Sequence, residues 1–292
     1  MNWKPLALED GPLMRKYLKK SQIAYSQYNF TTLYLWQRMT GARWRIIEQC
    51  LCVVMNVGGC AFAMYPIGEG DVKAAVEVLR EEFPDCLSFG LLTEDMIANM
   101  ERWYPDRLTV VDRRDSYDYV YLREKLVSLS GKKLHGKRNH INKFKSLYSF
   151  EYHPFSPQWA VDCLKLEEQW LESKADFTDF ARECEYDAVR KSIEDFGALE
   201  CRGGVLTVEG KVIAFSIGEM LTQDTALIHM EKADASYQGA YPMINQQFCE
   251  HEFSQALYID REEDMGLERL RKAKLSYVPN HLVAVKSVII GS

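Results

Sequence analysis

The run Val205-Leu206-Thr207-Val208-Glu209-Gly210-Lys211-Val212-Ile213-Ala214-Phe215-Ser216-Ile217-Gly218-Glu219-Met220-Leu221 holds two β-prone segments, Val205–Glu209 and Val212–Leu221, joined at Glu209-Gly210. Two such segments around a turn dipeptide predict a β-hairpin. Working outward, Thr225–Lys232 reads as a third strand, Tyr241–Phe253 as a helix and Leu257–Asp260 as a strand. Gly266–Ala273 then reads as a short helix and Leu282–Ile290 as a final strand. The first half repeats this order. Trp44–Glu48, Cys50–Asn56 and Cys60–Tyr65 form a predicted meander with a Gly58-Gly59 turn. Asp71 caps a helix to Phe83, Leu87–Leu92 follows as a strand, and Thr93 caps a helix to about Trp103. Leu108–Val111 and Tyr117–Tyr121 close that half as strands. Both halves therefore share the order β-β-β-α-β-α-β, and the first adds one further strand. Helical patterns over Lys132–Tyr148, Pro157–Lys174 and Arg182–Phe196 lie between them. The expected fold is α/β (α+β), two similar copies of a mixed sheet flanked by helices, divided into domains 1–131 and 132–292.

A chain of 292 residues with 47% hydrophobic and 27% charged side chains can build sizeable cores, and disorder or low complexity is excluded. The formal charge of −6 argues against a protein that coats duplex DNA. No apolar run approaches the roughly 20 residues of a spanning helix, and residues 1–22 lack the apolar core of a secretory signal. A cytoplasmic protein is expected, with a peripheral position at a membrane compatible with the sequence. The eight cysteines read as small buried hydrophobes without disulfides. Cys50, Cys52 and Cys60 lack metal-ligand spacing, so no metal site is expected.

Between Glu124 and Glu151 there is no acidic residue, yet Lys125, Lys132, Lys133, Lys137, Arg138, Lys143 and Lys145 all fall there. On a helical wheel Leu134, Ile141, Phe144 and Tyr148 form the buried stripe, and Lys137 lies within it. A lysine so placed must snorkel or meet an anion. Arg138, Asn142 and Lys145 line one flank at spacings that let their tips converge. The run reads either as a solvated face or as a phosphate site.

A second cluster follows the third strand of the second half. Strand alternation puts His229 and Glu231 on one face as candidate proton acceptors. The turn Ser236-Tyr237-Gln238-Gly239-Ala240-Tyr241 opens a helix whose free N–H groups could face an anion. Asp260-Arg261-Glu262-Glu263-Asp264 sits just beyond a strand end, where open sheets bind ligands, and Lys274 is the basic residue expected to point inward.

Gly136-Lys137-Arg138-Asn139-His140-Ile141-Asn142-Lys143-Phe144, Tyr237-Gln238-Gly239-Ala240-Tyr241, Ile244-Asn245 and Asp260 to Gly266 resemble the signatures of the bacterial DUF2156 family. That family is grouped with the C-terminal domain of phosphatidylglycerol lysyltransferase. The resemblance spans nearly the whole chain and implies two tandem GNAT-like acyltransferase domains. Gly266-Leu267 through Lys274 and Pro279 is similar to a stretch of lysyltransferases and Fem-type aminoacyltransferases, although Ala273 replaces their aromatic residue. It implies that Lys274 is directed at the acyl donor.

Residue chemistry and resemblance together assign catalysis to Glu231, Asp264 and Lys274, and donor or phosphate binding to Lys137, Arg138, Asn142, Lys143, Gln238, Gly239 and Tyr241. His229, Asn245, Asp260, Arg261 and Glu263 are assigned to the acceptor. The expected activity moves an activated acyl group, from aminoacyl-tRNA or acyl-CoA, to an amine or hydroxyl of a small molecule, peptide or lipid headgroup. The alternatives are an acetyl-coenzyme A-dependent N-acetyltransferase and a non-catalytic binder of an anionic ligand.

Overall fold

In the computed structural model, which describes residues 3–57, 59–175 and 177–291, the hairpin at Glu209-Gly210 forms. Both turn residues take positive φ, 51° and 77°, as a tight hairpin requires. The hairpin is the centre of one of two units into which the chain divides. That unit comprises Tyr119–Glu262 and Glu268–Leu282, and the other Met1–Asp118, Glu263–Leu267 and Val283–Ser292.

The hairpin unit carries strands β1 (Asp118–Leu122), β2 (Phe150–Pro154), β3 (Arg202–Val208), β4 (Lys211–Met220), β5 (Thr225–Ala233), β6 (Tyr258–Asp260) and β7 (His281–Val283). Its helices are α1 (Arg123–Ser128), α2 (His135–Leu147), α3 (Ala160–Glu172), α4 (Asp179–Glu194), α5 (Ala240–His251) and α6 (Glu268–Leu275). The seven strands form one sheet in the order β7-β1-β6-β5-β4-β3-β2. The β5–β6 pair is parallel, with α5 as its crossover, and β6–β1, β5–β4, β4–β3 and β3–β2 are antiparallel. Phe144 of α2 and Met243, Ile244 and Phe248 of α5 pack on the sheet with Leu126 of α1 in one buried core.

Between β4 and β5 the register slips. Ile217 pairs with Met230 but Gly218 pairs with Ile228, so His229 is an extra residue without a partner on β4. Ala226 and Ile228 before the bulge and Ala233 after it join the same core, so the strand's inward positions change from even to odd. Gly218 is required here, because a Cβ would lie 2.3 Å from the Leu227 carbonyl oxygen.

The other unit holds an eight-stranded sheet. Its strands Arg43–Ile47, Cys50–Val57 and Cys60–Met64 make the expected meander, and Cys60–Met64 runs parallel to Leu87–Leu92. Gly58 of the expected turn lies outside the described residues, while the Gly59 N–H donates to Asn56 Oδ1. Asp71 caps its helix as expected, accepting from the Ala74 N–H at 2.9 Å.

Several expectations need correction. The long β-prone run Leu282–Ile290 is two strands, His281–Val283 in the hairpin sheet and Lys286–Ile290 in the other sheet. The segment read as Tyr117–Tyr121 pairs with β6 rather than closing the first sheet. Each sheet thus takes a strand from the other half of the chain, and the first division between the units falls at Asp118/Tyr119, where 131/132 was expected. Alternation identifies strands but not the edges they pair with. Cys60 and Cys86 are joined by a disulfide, whereas only free thiols were expected; Cys60 begins one of two neighbouring parallel strands and Cys86 directly precedes the other, which their spacing does not reveal. Helices Gly11–Ser21, Phe30–Leu35 and Gln37–Thr40 precede the segment that the sequence patterns define.

Lys286–Ile290 pairs on both sides, with Leu87–Leu92 and with Leu108–Asp112. Deleting residues 286–292 should therefore open the first sheet in its interior and abolish its cooperative unfolding. Circular dichroism melts with limited proteolysis would report this, and a variant that still protects residues 87–112 would contradict the assignment.

Candidate functional site

Glu231, near the end of β5, accepts hydrogen bonds on both carboxylate oxygens. Arg261 Nη2 donates to Oε1 at 2.8 Å and Asn245 Nδ2 to Oε2 at 2.9 Å. The three side chains come from β5, from α5 and from the residue after β6, which are successive parts of the parallel crossover. The Arg261 guanidinium stands 4.8 Å from the Tyr277 ring centre and 5.8 Å from that of Tyr121. Lys137 reaches the same cluster from α2, its ammonium 4.1 Å from the Tyr277 ring centre. The lysine expected within the buried stripe thus rests on an aromatic face.

Glu231 and Arg261 side chains are both 13% exposed, so their pairing is largely desolvated. Burial works against the Arg261 charge, yet Glu231, Tyr121 and Tyr277 outweigh it and hold the guanidinium more firmly protonated than usual. Burial, together with the Arg261 charge, lowers the Lys137 pKa, and Glu231 opposes the shift. Two buried polar atoms of the cluster have no hydrogen-bond partner among the described residues, Arg261 Nη1 and Asn245 Oδ1. One is a donor and the other an acceptor, on residues that share a carboxylate.

His229 does not join Glu231. The bulge turns it to Glu219, whose oxygen lies 3.1 Å from Nε2, and Glu262 lies 3.4 Å from Nδ1. Burial alone would discharge the imidazole, but the two carboxylates raise its pKa to about 9. Lys274 is buried, and its ammonium donates to the carbonyl oxygens of Arg261 and Glu262, at 2.5 and 2.9 Å. It points inward as expected, but those donors fix the backbone that carries Arg261 instead of facing an acyl donor.

The other assigned residues are placed elsewhere. Asp264 and Glu263 belong to the other unit, where Asp264 accepts from the Gly266 N–H at 2.9 Å and pairs with Arg114 at 3.3 Å. Asp260 is buried and accepts from the Glu262 N–H. Arg138 turns back to the carbonyls of Leu129 and Gly131, a loop clamp in place of a phosphate contact. Asn142, Lys143 and Gln238 are exposed.

Three amides of the turn before α5 are taken up by its own chain. The Ser236 N–H donates to Asp234 Oδ1, and the Tyr237 and Ala240 N–H groups donate to the carbonyls of Asp234 and Tyr237. Gly239, at φ 94°, packs against α2 so closely that a Cβ would lie 2.6 Å from the His140 carbonyl oxygen. Its glycine serves close helix packing, and a pyrophosphate would meet the Asp234 carboxylate. Tyr241 accepts a hydrogen bond from Trp170 Nε1 at 2.7 Å. Trp170 also lies under Lys232, 3.4 Å from ammonium to ring centre, and Lys232 pairs with Glu185 and Glu167. Burial raises Glu167 to about 7, against the pull of Lys232.

Sequence reasoning missed Tyr121, Tyr277, Trp170 and Glu219. Tyr277 and Tyr121 are aromatics in apolar surroundings, and only the fold brings their rings to Arg261. Trp170 lies inside the expected helical pattern Pro157–Lys174, which gives no sign of its contacts with Tyr241 and Lys232.

The family described as phosphatidylglycerol lysyltransferase, C-terminal, matches residues 19–285. A protein of Mycoplasmoides gallisepticum, described as uncharacterized, is 26% identical over 206 residues, covering 65% of this chain and 65% of that protein. The chain thus spans just under two thirds of that curated relative. A conserved protein of unknown function from Bacteroides thetaiotaomicron is similar over 99% of both chains, with 34% identity and a TM-score of 0.92. L-PGS from Bacillus licheniformis shares the fold over 99% of this chain and 93% of its own, with 14% identity and a TM-score of 0.67. FemX shares it over 98% and 97%, with 8% identity and a TM-score of 0.61. The expected tandem GNAT-like, Fem-type fold is therefore the one observed.

The His229 environment sets a pH dependence. Its pKa rises from 6.5 unfolded to about 9 folded, so its contribution is complete below pH 6.5 and lost as pH rises through 9. Urea unfolding should show roughly 3 kcal/mol of stability disappearing between pH 7 and 10, and His229→Gln should flatten that slope. Equal slopes in both proteins would assign the loss to other groups.

Proposed function

The chain belongs to the family of the phosphatidylglycerol lysyltransferase C-terminal domain, and from that premise we propose that it transfers an aminoacyl group from aminoacyl-tRNA to an amine or hydroxyl acceptor. Family and fold are those of acyl and aminoacyl transferases. The observation that carries the finer reading is the pair of orphaned polar atoms beside Glu231. An aminoacyl ester offers a carbonyl oxygen that suits Arg261 Nη1 and an α-amine that suits Asn245 Oδ1. An ester is already activated, so orientation and oxyanion stabilisation supply most of what the reaction needs.

In this mechanism the acceptor nitrogen or oxygen attacks the ester carbon, and the negative charge on the carbonyl oxygen meets the guanidinium of Arg261. Glu231 keeps lone pairs beyond its bonds to Arg261 and Asn245 and takes the acceptor's proton. The bond from the carbonyl carbon to the tRNA ribose oxygen then breaks, and that oxygen receives the proton. Lys137 adds positive charge beside the developing oxyanion, and Lys274 positions Arg261.

The acetyl-coenzyme A reading finds less support, since the Ser236, Tyr237 and Ala240 amides of the turn before α5 are engaged internally and Gly239 packs closely against α2. Among the described residues no helix is long and apolar enough to cross a membrane. A lipid acceptor would therefore be met by these two units at a bilayer surface or delivered to them.

Incubation with a pool of radiolabelled aminoacyl-tRNAs, read as loss of ester and gain of labelled acceptor, tests the proposal. Arg261→Gln and Glu231→Gln should each lower transfer by about 100-fold or more, the usual cost of one oxyanion donor or general base, and Lys137→Gln by about tenfold. Undiminished transfer in Arg261→Gln, or acetyl transfer with stabilisation by micromolar coenzyme A, would refute it.

A further inference from the structure

Lys137 is the least constrained cation of the Glu231 cluster. Arg261 is bonded to Glu231, and Lys274 to two backbone carbonyls. Among the described residues no carboxylate or hydrogen-bond acceptor pairs with the Lys137 ammonium, which rests on the Tyr277 ring at 4.1 Å from its centre. The Arg261 guanidinium lies 4.8 Å from the centre of that same ring, so one aromatic side chain carries both cations. Ile141 and Phe144, four and seven residues further along α2, are buried. The helix itself therefore turns Lys137 inward, where it is partly buried.

An amine so placed differs from a solvated lysine in two ways. Burial and the Arg261 charge lower its pKa, against the pull of Glu231, so a larger share of it is unprotonated near neutral pH. With no bond to break, its flexible stem can also carry the nitrogen toward a reacting carbon. The same cluster holds what acylation of an amine needs. Arg261 Nη1 is a buried donor able to take a developing oxyanion, and the Glu231 carboxylate is able to take a proton.

We infer that Lys137 is a self-acylation site, where an activated ester held at Arg261 acylates the lysine side-chain amine and leaves an acyl-lysine in the cluster. The unprotonated Nζ attacks the ester carbon, the C–N bond forms, and the C–O bond to the leaving oxygen breaks. The surplus proton on nitrogen passes to Glu231 and from it to the leaving oxygen. The product is an amide, far less activated than the ester it came from, so it is a terminal modification and not an intermediate of transfer. The inference rests on the proposed function only in that an ester enters the cluster. Under that reading each modified molecule loses the Lys137 charge beside the oxyanion, and its activity falls to that of Lys137→Gln.

Limited reaction of the folded protein with p-nitrophenyl acetate, read by peptide mass spectrometry, tests this without any tRNA. Lys132, Lys133, Lys143 and Lys145, exposed along the same stretch of chain, serve as references. Lys137 should be acetylated at least about tenfold faster than they are, a modest share of the roughly 100-fold that one oxyanion donor supplies. The advantage should vanish in urea, and it should shrink in Arg261→Gln, whose fold circular dichroism checks. In Lys137→Arg the reference lysines should label as before. A Lys137 rate no greater than that of the references would overturn the inference, as would an advantage that survives in urea or stays undiminished in folded Arg261→Gln. A second arm supplies radiolabelled aminoacyl-tRNA, with and without candidate acceptors. Rapid acetylation of Lys137 with no transfer from any aminoacyl-tRNA supports the inference and refutes the proposed function. Transfer to an acceptor with Lys137 unmodified in both arms supports the proposed function and overturns the inference.

Discussion

The desolvated pairing of Glu231 with Arg261 is the constraint around which the hairpin unit is organised. A buried guanidinium is tolerable only if its charge is met, and here one carboxylate and two aromatic faces meet it. The carboxylate in turn is completed by Asn245. Because these groups come from β5, α5 and the end of β6, the pair can form only when the parallel crossover has closed. Lys274 adds a backbone clamp by binding the carbonyls of Arg261 and Glu262, and the Tyr121 hydroxyl donates to the Lys274 carbonyl oxygen at 2.9 Å. The site's cation is therefore held from both its side chain and its main chain.

The bulge at His229 is what makes this possible on one strand. Without it, alternation would send His229 and Glu231 to the same side of the strand. With it, two separate buried clusters form. One is acidic and built on an imidazolium, the other cationic and built on a carboxylate. Their charge balance differs because the inserted residue reverses the inward parity between Ile228 and Ala233.

Much of the architecture is legible in the residues. The hairpin at Glu209-Gly210, the Asp71 cap and the repeated element order all rest on local signals whose physics is local. The strand exchange between the two sheets was not legible, because edge choice depends on partners far away in the chain. In the site, Lys137, Glu231, Asn245 and Arg261 were each singled out and are brought together. Lys137 betrayed itself as a charge inside an apolar stripe. Arg138 and Gly239 matched motif patterns yet serve a loop and a helix contact. A motif fixes residue type and spacing, and it leaves open whether a guanidinium is used by a ligand or by its own chain. Tyr277 carried no polar signal at all, since its value to the site is its ring.

The cluster contains no activated nucleophile, and that agrees with the chemistry the family implies. A group that arrives as an ester needs no covalent step to raise its energy; it needs a carbonyl held against a donor that does not have to reorganise when charge develops. Arg261 meets that condition because its position is fixed by Glu231, Tyr277 and the Lys274 clamp before any ligand arrives. The energetic cost of leaving Nη1 unpaired in a buried place is then recovered only when an acceptor oxygen occupies it. An oxygen that gains charge along the reaction recovers more of it than a neutral carbonyl does. A buried, incompletely satisfied guanidinium would therefore favour a transition state over a bound ester, and on the proposed reading this bias is what a site assembled from a salt bridge and two tyrosines would contribute to catalysis.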